Sequence, residues 1–345
     1  MRYPVPPFAS GGLVLSYTCS AACAHCMYAC TPKWKSGWIS DEHLDALLQQ
    51  LSRTIVPAPG GPETIGLSHG LHFTGGEPFL KYDLLARAVE KARRLEIPSL
   101  FVETNGFWAA NDKDTREKLE HLKTQGLRGI MISVNPFYLE FVPFERTERA
   151  IRISLDVFGR NTYVYQVEYF RQFKELGIKG TLSLDEYLAK EGIADFARRV
   201  EFFLSGRAPF ALEGRFERFF RKGPAGLFLR EGCQPPFLRE WHNHVDPDGN
   251  YMPGFCGGIS LGDARQLDRL MEEGVDVSGR PVLGALMKED LAGLLTYAKE
   301  QGYTERKEGY FSRCHLCADI RRHLVRNGDY PELQPREFYE HLGTV

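Results

Sequence analysis

Cys19, Cys23 and Cys26 place three thiols on one short loop, and Thr74-Gly75-Gly76-Glu77-Pro78 follows further along the chain. Thiolate is a soft donor that selects zinc, copper(I) or iron–sulfur assemblies. An iron–sulfur cluster that only stores electrons is ordinarily held by four thiolates. A C-x3-C-x2-C loop supplies three, so a four-iron cluster held here would keep one iron open to bind and activate another ligand. A zinc ion on the same loop would need a fourth donor, for which Cys30 is the candidate. Cys30 is otherwise read as a small buried hydrophobe, with a redox or ligand role as the alternative. A second set, Cys233, Cys256, Cys314 and Cys317, lies in the carboxyl-terminal third. Four thiols suffice for a closed site, either an iron–sulfur cluster or a zinc knuckle.

Such thiols need a rigid scaffold. Leu13-Val14-Leu15-Ser16-Tyr17 reads as a buried strand that delivers the cysteine loop at its carboxyl end. Ser40 then caps a helix whose Leu44, Leu47, Leu48 and Leu51 share one face, and Pro57 to Pro62 ends it. Leu71 to Thr74 is the next strand and stops at the glycines. A helix with Leu85, Val89 and Ala92 inward, a strand Leu100 to Glu103, a helix ending near Gly126 and a strand Ile130 to Val134 continue the alternation. Tyr163, Val167, Phe170 and Phe173 predict another helix, and Ile178 to Leu184 another strand. Five or six βα units imply an α/β fold on a parallel sheet, with its chemistry at the strand carboxyl ends. The cysteine loop, Gly75-Gly76, Thr104-Asn105-Gly106 and Ser133 to Asn135 all fall there. Beyond Arg215 the texture changes to short segments and turns, with Asp246-Pro247-Asp248-Gly249-Asn250 a hairpin turn between Trp241–Val245 and Tyr251–Met252. The expected division is a core domain over 8–215 and a smaller cysteine-rich module over 216–330.

With 345 residues, 43% of them hydrophobic, the chain can bury a large core. A formal charge of −2 gives no basic field for nucleic acid, and Arg198-Arg199 and Arg321-Arg322 read as solvated helix faces. The proline-rich start lacks a signal-peptide run and no stretch reaches membrane-spanning length. A cytoplasmic protein with reduced cysteines is expected.

Three cysteines after the first strand, Gly-Gly-Glu-Pro after the second and Thr-Asn-Gly after the third resemble the radical S-adenosylmethionine (radical SAM) superfamily. The resemblance implies a partial (β/α)6 TIM-like barrel in which Cys19, Cys23 and Cys26 hold a [4Fe-4S] cluster. The fourth iron would be chelated by S-adenosylmethionine. It further implies that Gly75 and Gly76 let backbone approach the methionyl ammonium while Glu77 and Pro78 hold the turn, and that Asn105 and Ser133 contact the ribose. His25 stands where the family usually has an aromatic carbocycle, and an imidazole can still stack on adenine. Gly214-Arg215 resembles a Gly-Arg pair common in these enzymes. Cys233, the Asp248 to Cys256 segment and Cys314-His315-Leu316-Cys317 resemble the auxiliary-cluster modules called SPASM and twitch, with four cysteines matching the one-cluster form.

The function expected from this resemblance is reductive cleavage of S-adenosylmethionine to a 5′-deoxyadenosyl radical and abstraction of a substrate hydrogen. An electron would then pass to an auxiliary [4Fe-4S] cluster. An external donor such as flavodoxin or ferredoxin would supply the first electron. The eighteen residues before Cys19 are expected to leave no room for a leader-binding domain, so the expected substrate is a small molecule or a peptide presented by a separate partner. The aromatic segment Phe137 to Phe144 is a candidate pocket rim or plain core. A zinc-stabilised binding protein and an iron–sulfur electron carrier are the alternatives. His242 and His244 alternate on a predicted strand and so face one side, and these two, with His69 and His72, read as packing or surface residues.

Overall fold

The computed structural model describes residues 1–192, 196, 204–215, 217, 220–233, 238–254 and 256–343; Arg198-Arg199 lies outside them. The elements that carry the site are β1 (Arg2–Tyr3), β2 (Ser10–Val14), α1 (Asp41–Leu51), β3 (Gly70–Thr74), α2 (Tyr82–Arg94), β4 (Phe101–Thr104), α3 (Asp112–Gln125), β5 (Gly129–Ser133), α4 (Pro136–Leu139) and α5 (Phe144–Phe158). After them come β6 (Thr162–Tyr165), α6 (Val167–Glu175), α7 (Leu184–Glu191), the hairpin β7 (Asn243–Val245) and β8 (Tyr251–Met252), and α8 (Arg313–Asn327). One sheet runs β6-β5-β4-β3-β2-β7-β8. Every neighbouring pair from β6 through to β7 is parallel, and β8 closes the edge antiparallel. The fold is thus α/β with a parallel sheet, consistent with a partial TIM-like barrel, and the cysteine-rich region follows it in sequence.

The helices form where their caps and apolar stripes permit. Ser40 accepts the His43 amide at 3.1 Å and α1 buries Leu44, Leu47, Leu48 and Leu51. Asn111 caps α3 through the Asp114 amide, and Gly126 ends it at a φ of 120°. Packed under these helices, Leu13, Leu71, Phe73, Val102, Ile130 and Ile132 make the core-facing rows of the strands, each fully buried. The opposite rows carry a different set: Gly12, His72 and Thr74, then Phe101, Glu103, Met131, Tyr163 and Tyr165. This second face is the interior of the partial barrel.

Among the elements, two sequence expectations fail beyond shifted strand ends. Tyr163 sits in β6, because Thr162-Tyr163-Val164-Tyr165 alternates at a two-residue period that outweighs the helical spacing to Val167. The segment Ile178 to Leu184 is not a strand: Gly177 and Gly180 turn at φ of 61° and 64°, and Ser183 caps α7 with a reciprocal bond to Glu186. The sixth parallel strand is instead β7, which pairs with β2 on its other edge in the register Gly11↔Asn243, Gly12↔His244, Leu13↔Val245. The predicted turn forms as read, with Gly249 at a φ of 88° and Asp246 accepting the Asp248 and Asn250 amides at 3.0 and 2.8 Å.

Gly11 makes the β2–β7 contact possible, since a Cβ there would overlap the Asn243 carbonyl and crowd the Phe8 ring. Gly11→Ala is therefore expected to lower the melting temperature by several degrees, an overpacking cost of about 1–3 kcal/mol. Calorimetry should find Gly37→Ala, in open space, unchanged.

Candidate functional site

Beyond β2 the chain enters the cysteine loop, and the turn after β3 is bolted to it. The Gly76 amide donates to the Ser16 carbonyl at 2.7 Å and the Glu77 amide to the Thr18 carbonyl at 3.1 Å. A Cβ on Gly76 would overlap the Thr18 carbonyl, and one on Gly75, at a φ of 136°, would overlap the Ser16 carbonyl. The space freed by the missing side chains is thus taken by the loop's own backbone. Glu77 is buried and joins two strand ends: it accepts from the Phe79 amide at 3.1 Å, the Thr104 hydroxyl at 2.8 Å and the Asn105 amide at 2.8 Å. Burial pushes its carboxyl up to about 7. Asn105 in turn donates to Ser20 Oγ at 3.0 Å and lies 3.9 Å from Cys19 Sγ.

Arg207, which the sequence reading passed over, is the largest fully buried side chain among the described residues. Its guanidinium donates to the carbonyls of Cys23 (2.9 Å), Ala29 (2.5 Å), Cys30 (3.0 Å) and His341 (3.1 Å). Gly206 before it has a φ of 57°, and a Cβ there would lie 2.5 Å from the Met27 carbonyl. The Gly-Arg pair packed on the loop is thus Gly206-Arg207. Gly214-Arg215 stands away from it, with Gly214 in open space and Arg215 on exposed Asp185 at 3.1 Å.

All eight cysteines carry free thiols. Burial holds Cys19 and Cys23 well above the usual thiol range, and neighbouring thiols add to it. Cys26 is instead pulled down to about 6, first by a hydrogen bond from the Cys30 thiol, then by Arg207 and by the Cys30 amide at 3.3 Å. Cys30 is buried, and its own thiol is raised by the same pairing with Cys26 and by burial. His25 stacks on Phe137 at 4.5 Å, meets Tyr138 edge-on at 5.1 Å, and lies with Nε2 3.2 Å from the Asn135 side-chain Nδ2. Burial and Arg207 hold the imidazole down near 3, so it is neutral. Its buried Nδ1 has no hydrogen-bond partner among the described residues. Ser133 ends β5 and pairs with the Tyr138 phenol, which lies within the field of all three loop thiols. Phe137 and Tyr138 belong to the aromatic segment singled out in the sequence; Asn135 fixes it by capping α4 through the Phe137 amide at 3.0 Å.

The carboxyl-terminal thiols also gather. Burial pushes Cys233 up to about 12 with help from Cys317 and Cys314, and Cys256 is raised by burial and then by Cys314. Cys314 and Cys317 lie in the first two turns of α8, which Ser312 caps through the His315 amide at 3.1 Å. Arg321, expected on a solvated face, is buried among them and donates to the Gly257 carbonyl at 2.9 Å and the Tyr339 hydroxyl at 3.0 Å. Arg322 is half-buried over the Phe210 ring at 5.5 Å.

His242 and His244 do share a side, and His72 joins them across β2, the three bringing one donor atom each within 4.8 Å of one another. Burial lowers all three below the usual histidine range.

A sequence profile of the Radical SAM superfamily matches residues 13–196, which span the cysteine loop, the Gly-Gly-Glu-Pro turn and β2 to α7. The chain belongs to the radical SAM superfamily. Membership implies a [4Fe-4S] cluster and S-adenosylmethionine, and the loop fits them: three converging soft donors, a buried cation beside them, and an orphaned ring nitrogen on His25. Comparison with curated proteins gives no match. Among solved structures, BtrN in complex with AdoMet and 2-DOIA aligns at 15% identity over 77% of this chain and 82% of that one, with a TM-score of 0.42. Native anSMEcpe with bound AdoMet aligns at 16% identity over 78% and 83%, also at 0.42. Among the described residues no helix is long and apolar enough to cross a membrane.

Removing the guanidinium would strand buried carbonyls at about 1–3 kcal/mol each. Arg207→Met is expected to lower the melting temperature and to reduce iron incorporation on anaerobic reconstitution severalfold, whereas Arg215→Met leaves both unchanged.

Proposed function

We propose that this radical SAM protein is an enzyme that abstracts a hydrogen atom from a small-molecule or peptide substrate, with a second iron–sulfur group on its carboxyl-terminal thiols as electron acceptor. The observation that carries the reading is the grouping of the Cys19, Cys23 and Cys26 thiols on a loop held by Arg207 and by the turn after β3. Bound there, the cluster and S-adenosylmethionine supply a 5′-deoxyadenosyl radical by one-electron cleavage of the sulfonium.

The chain's own residues do the positioning. Cys19, Cys23 and Cys26 would each hold one iron, and Arg207 offsets the negative charge that gathers on them. The Cys30 amide, donating to Cys26 Sγ at 3.3 Å, lowers the electron density on that sulfur. His25, kept neutral and backed by Phe137, offers a flat face for adenine and a free ring nitrogen at its edge. Asn105 and Ser133 stand at the ends of adjacent strands, suited to ribose hydroxyls. Glu77 is already occupied by two amides and a hydroxyl, so it orients the Asn105 turn rather than binding ligand. Cys233, Cys256, Cys314 and Cys317 would ligate the second group fully, leaving electron transfer as its work. Flavodoxin or ferredoxin is the proposed source of the first electron.

Anaerobic incubation with dithionite and S-adenosylmethionine should yield 5′-deoxyadenosine, and Cys23→Ala should abolish it. Cys314→Ala/Cys317→Ala should keep that product while iron falls from the amount of two clusters to that of one. Unchanged iron together with bound zinc would replace the second iron–sulfur group by a zinc knuckle.

A further inference from the structure

The interior face of the sheet carries a third group of donors, with no cysteine in it among the described residues. His72 on β3 and His244 on β7 flank Gly12 of β2, in register with it on both sides. A Cβ on Gly12 would lie 2.5 Å from His72 Nε2 and 2.6 Å from the His244 ring, so the glycine is what lets the two imidazoles meet over the strand. Their Nε2 atoms stand 3.4 Å apart, and Glu103 Oε1 on β4 is 3.4 Å from His72 Nε2. His242, just before β7, completes the group from a left-handed backbone at a φ of 56° that few side chains adopt.

The hydrogen bonds around this group orient its outer ring nitrogens. His242 Nδ1 is 3.1 Å from the Leu67 carbonyl, which can only accept, so the proton is on Nδ1 and Nε2 keeps its lone pair. In the tautomer a metal requires, Tyr28 donates to the Gly254 carbonyl at 3.4 Å and its oxygen accepts from His244 Nδ1 at 2.8 Å, which turns His244 Nε2 to the ion. Outer nitrogens tied to a carbonyl and a phenol are the arrangement that orients histidines toward a metal. Glu103 uses Oε2 to accept from Thr74 at 2.9 Å, while its buried Oε1 has no hydrogen-bond partner among the described residues. Donors on one tetrahedral zinc, at about 2.0–2.1 Å from the ion, lie about 3.3 Å from one another. The two 3.4 Å separations match that edge.

We propose that His72, His242, His244 and Glu103 bind a zinc-class divalent ion inside the barrel. The ion would fasten β3, β4 and β7 across the narrow glycine strand. Tyr28, two residues beyond Cys26, carries the same connection to the cysteine loop. The site stands apart from both cysteine sets and does not depend on the proposed reaction.

The test is zinc added to the purified protein, with removal of free metal, elemental analysis and zinc K-edge absorption. The expected result is one zinc per chain in a first shell of nitrogen and oxygen only, at about 2.0–2.1 Å. His242→Asn, which keeps a residue that tolerates the left-handed backbone, should lose that equivalent at unchanged iron content. Glu103→Gln should weaken zinc retention at least tenfold and checks the assignment should the histidine variant misfold. No retained zinc, a sulfur shell at about 2.3 Å, or zinc unchanged in both variants overturns the site and returns these residues to a hydrogen-bonded histidine chain. Formation of 5′-deoxyadenosine is read separately, so failure here and failure of the proposed activity are distinguishable.

Discussion

The site depends on one buried guanidinium. Arg207 lies inside the protein, where an uncompensated charge would cost several kcal/mol, and it is compensated by carbonyls of the cysteine loop and of the carboxyl-terminal tail. Carbonyls turned inward toward Arg207 fix the backbone of the loop, and a fixed backbone fixes where the thiols of Cys23 and Cys26 point. The same charge favours thiolate on those cysteines and disfavours protonation of His25. One side chain therefore sets both the shape of the loop and its electrostatics.

Glycine does the complementary work. At Gly11 and Gly12 the sheet admits a neighbouring carbonyl on one face and two imidazoles on the other; at Gly76 the turn after β3 lies directly on the backbone leading to Cys19. Each of these contacts is backbone-to-backbone or backbone-to-ring at distances a methyl group would forbid. The barrel interior, the cysteine loop and the hairpin are thereby coupled through strand β2, which is only five residues long.

Much of this was legible in the residues. The α/β alternation from β3 to α3 and the cap at Ser40 followed from periodicity and turn chemistry, and so did the hairpin at Asp246 to Asn250. Strand β7 was recognised as half of a hairpin, but its place beside β2 rests on pairing between residues more than two hundred positions apart. Tyr163 misled because a strand of four residues shows its two-residue period too briefly to be told, in the sequence, from the helical spacing to Val167. Arg207 was missed for a different reason: the bonds that define it reach carbonyls of the loop and the tail, and carbonyls leave no signature in a sequence. Gly206-Arg207 and Gly214-Arg215 look alike as dipeptides, and only packing against Met27 separates them. The shared side of His242 and His244 was readable from strand alternation. The third partner, His72, required knowing that Gly12 lies between.

The central claim is that three thiols of one loop hold a cluster whose remaining iron takes S-adenosylmethionine. The most direct measurement is the electron paramagnetic resonance of the dithionite-reduced, reconstituted protein, recorded on Cys314→Ala/Cys317→Ala so that the loop site dominates the signal. The account predicts a reduced [4Fe-4S] signal whose g-values shift when S-adenosylmethionine is added. A cluster signal that the addition leaves unchanged contradicts it.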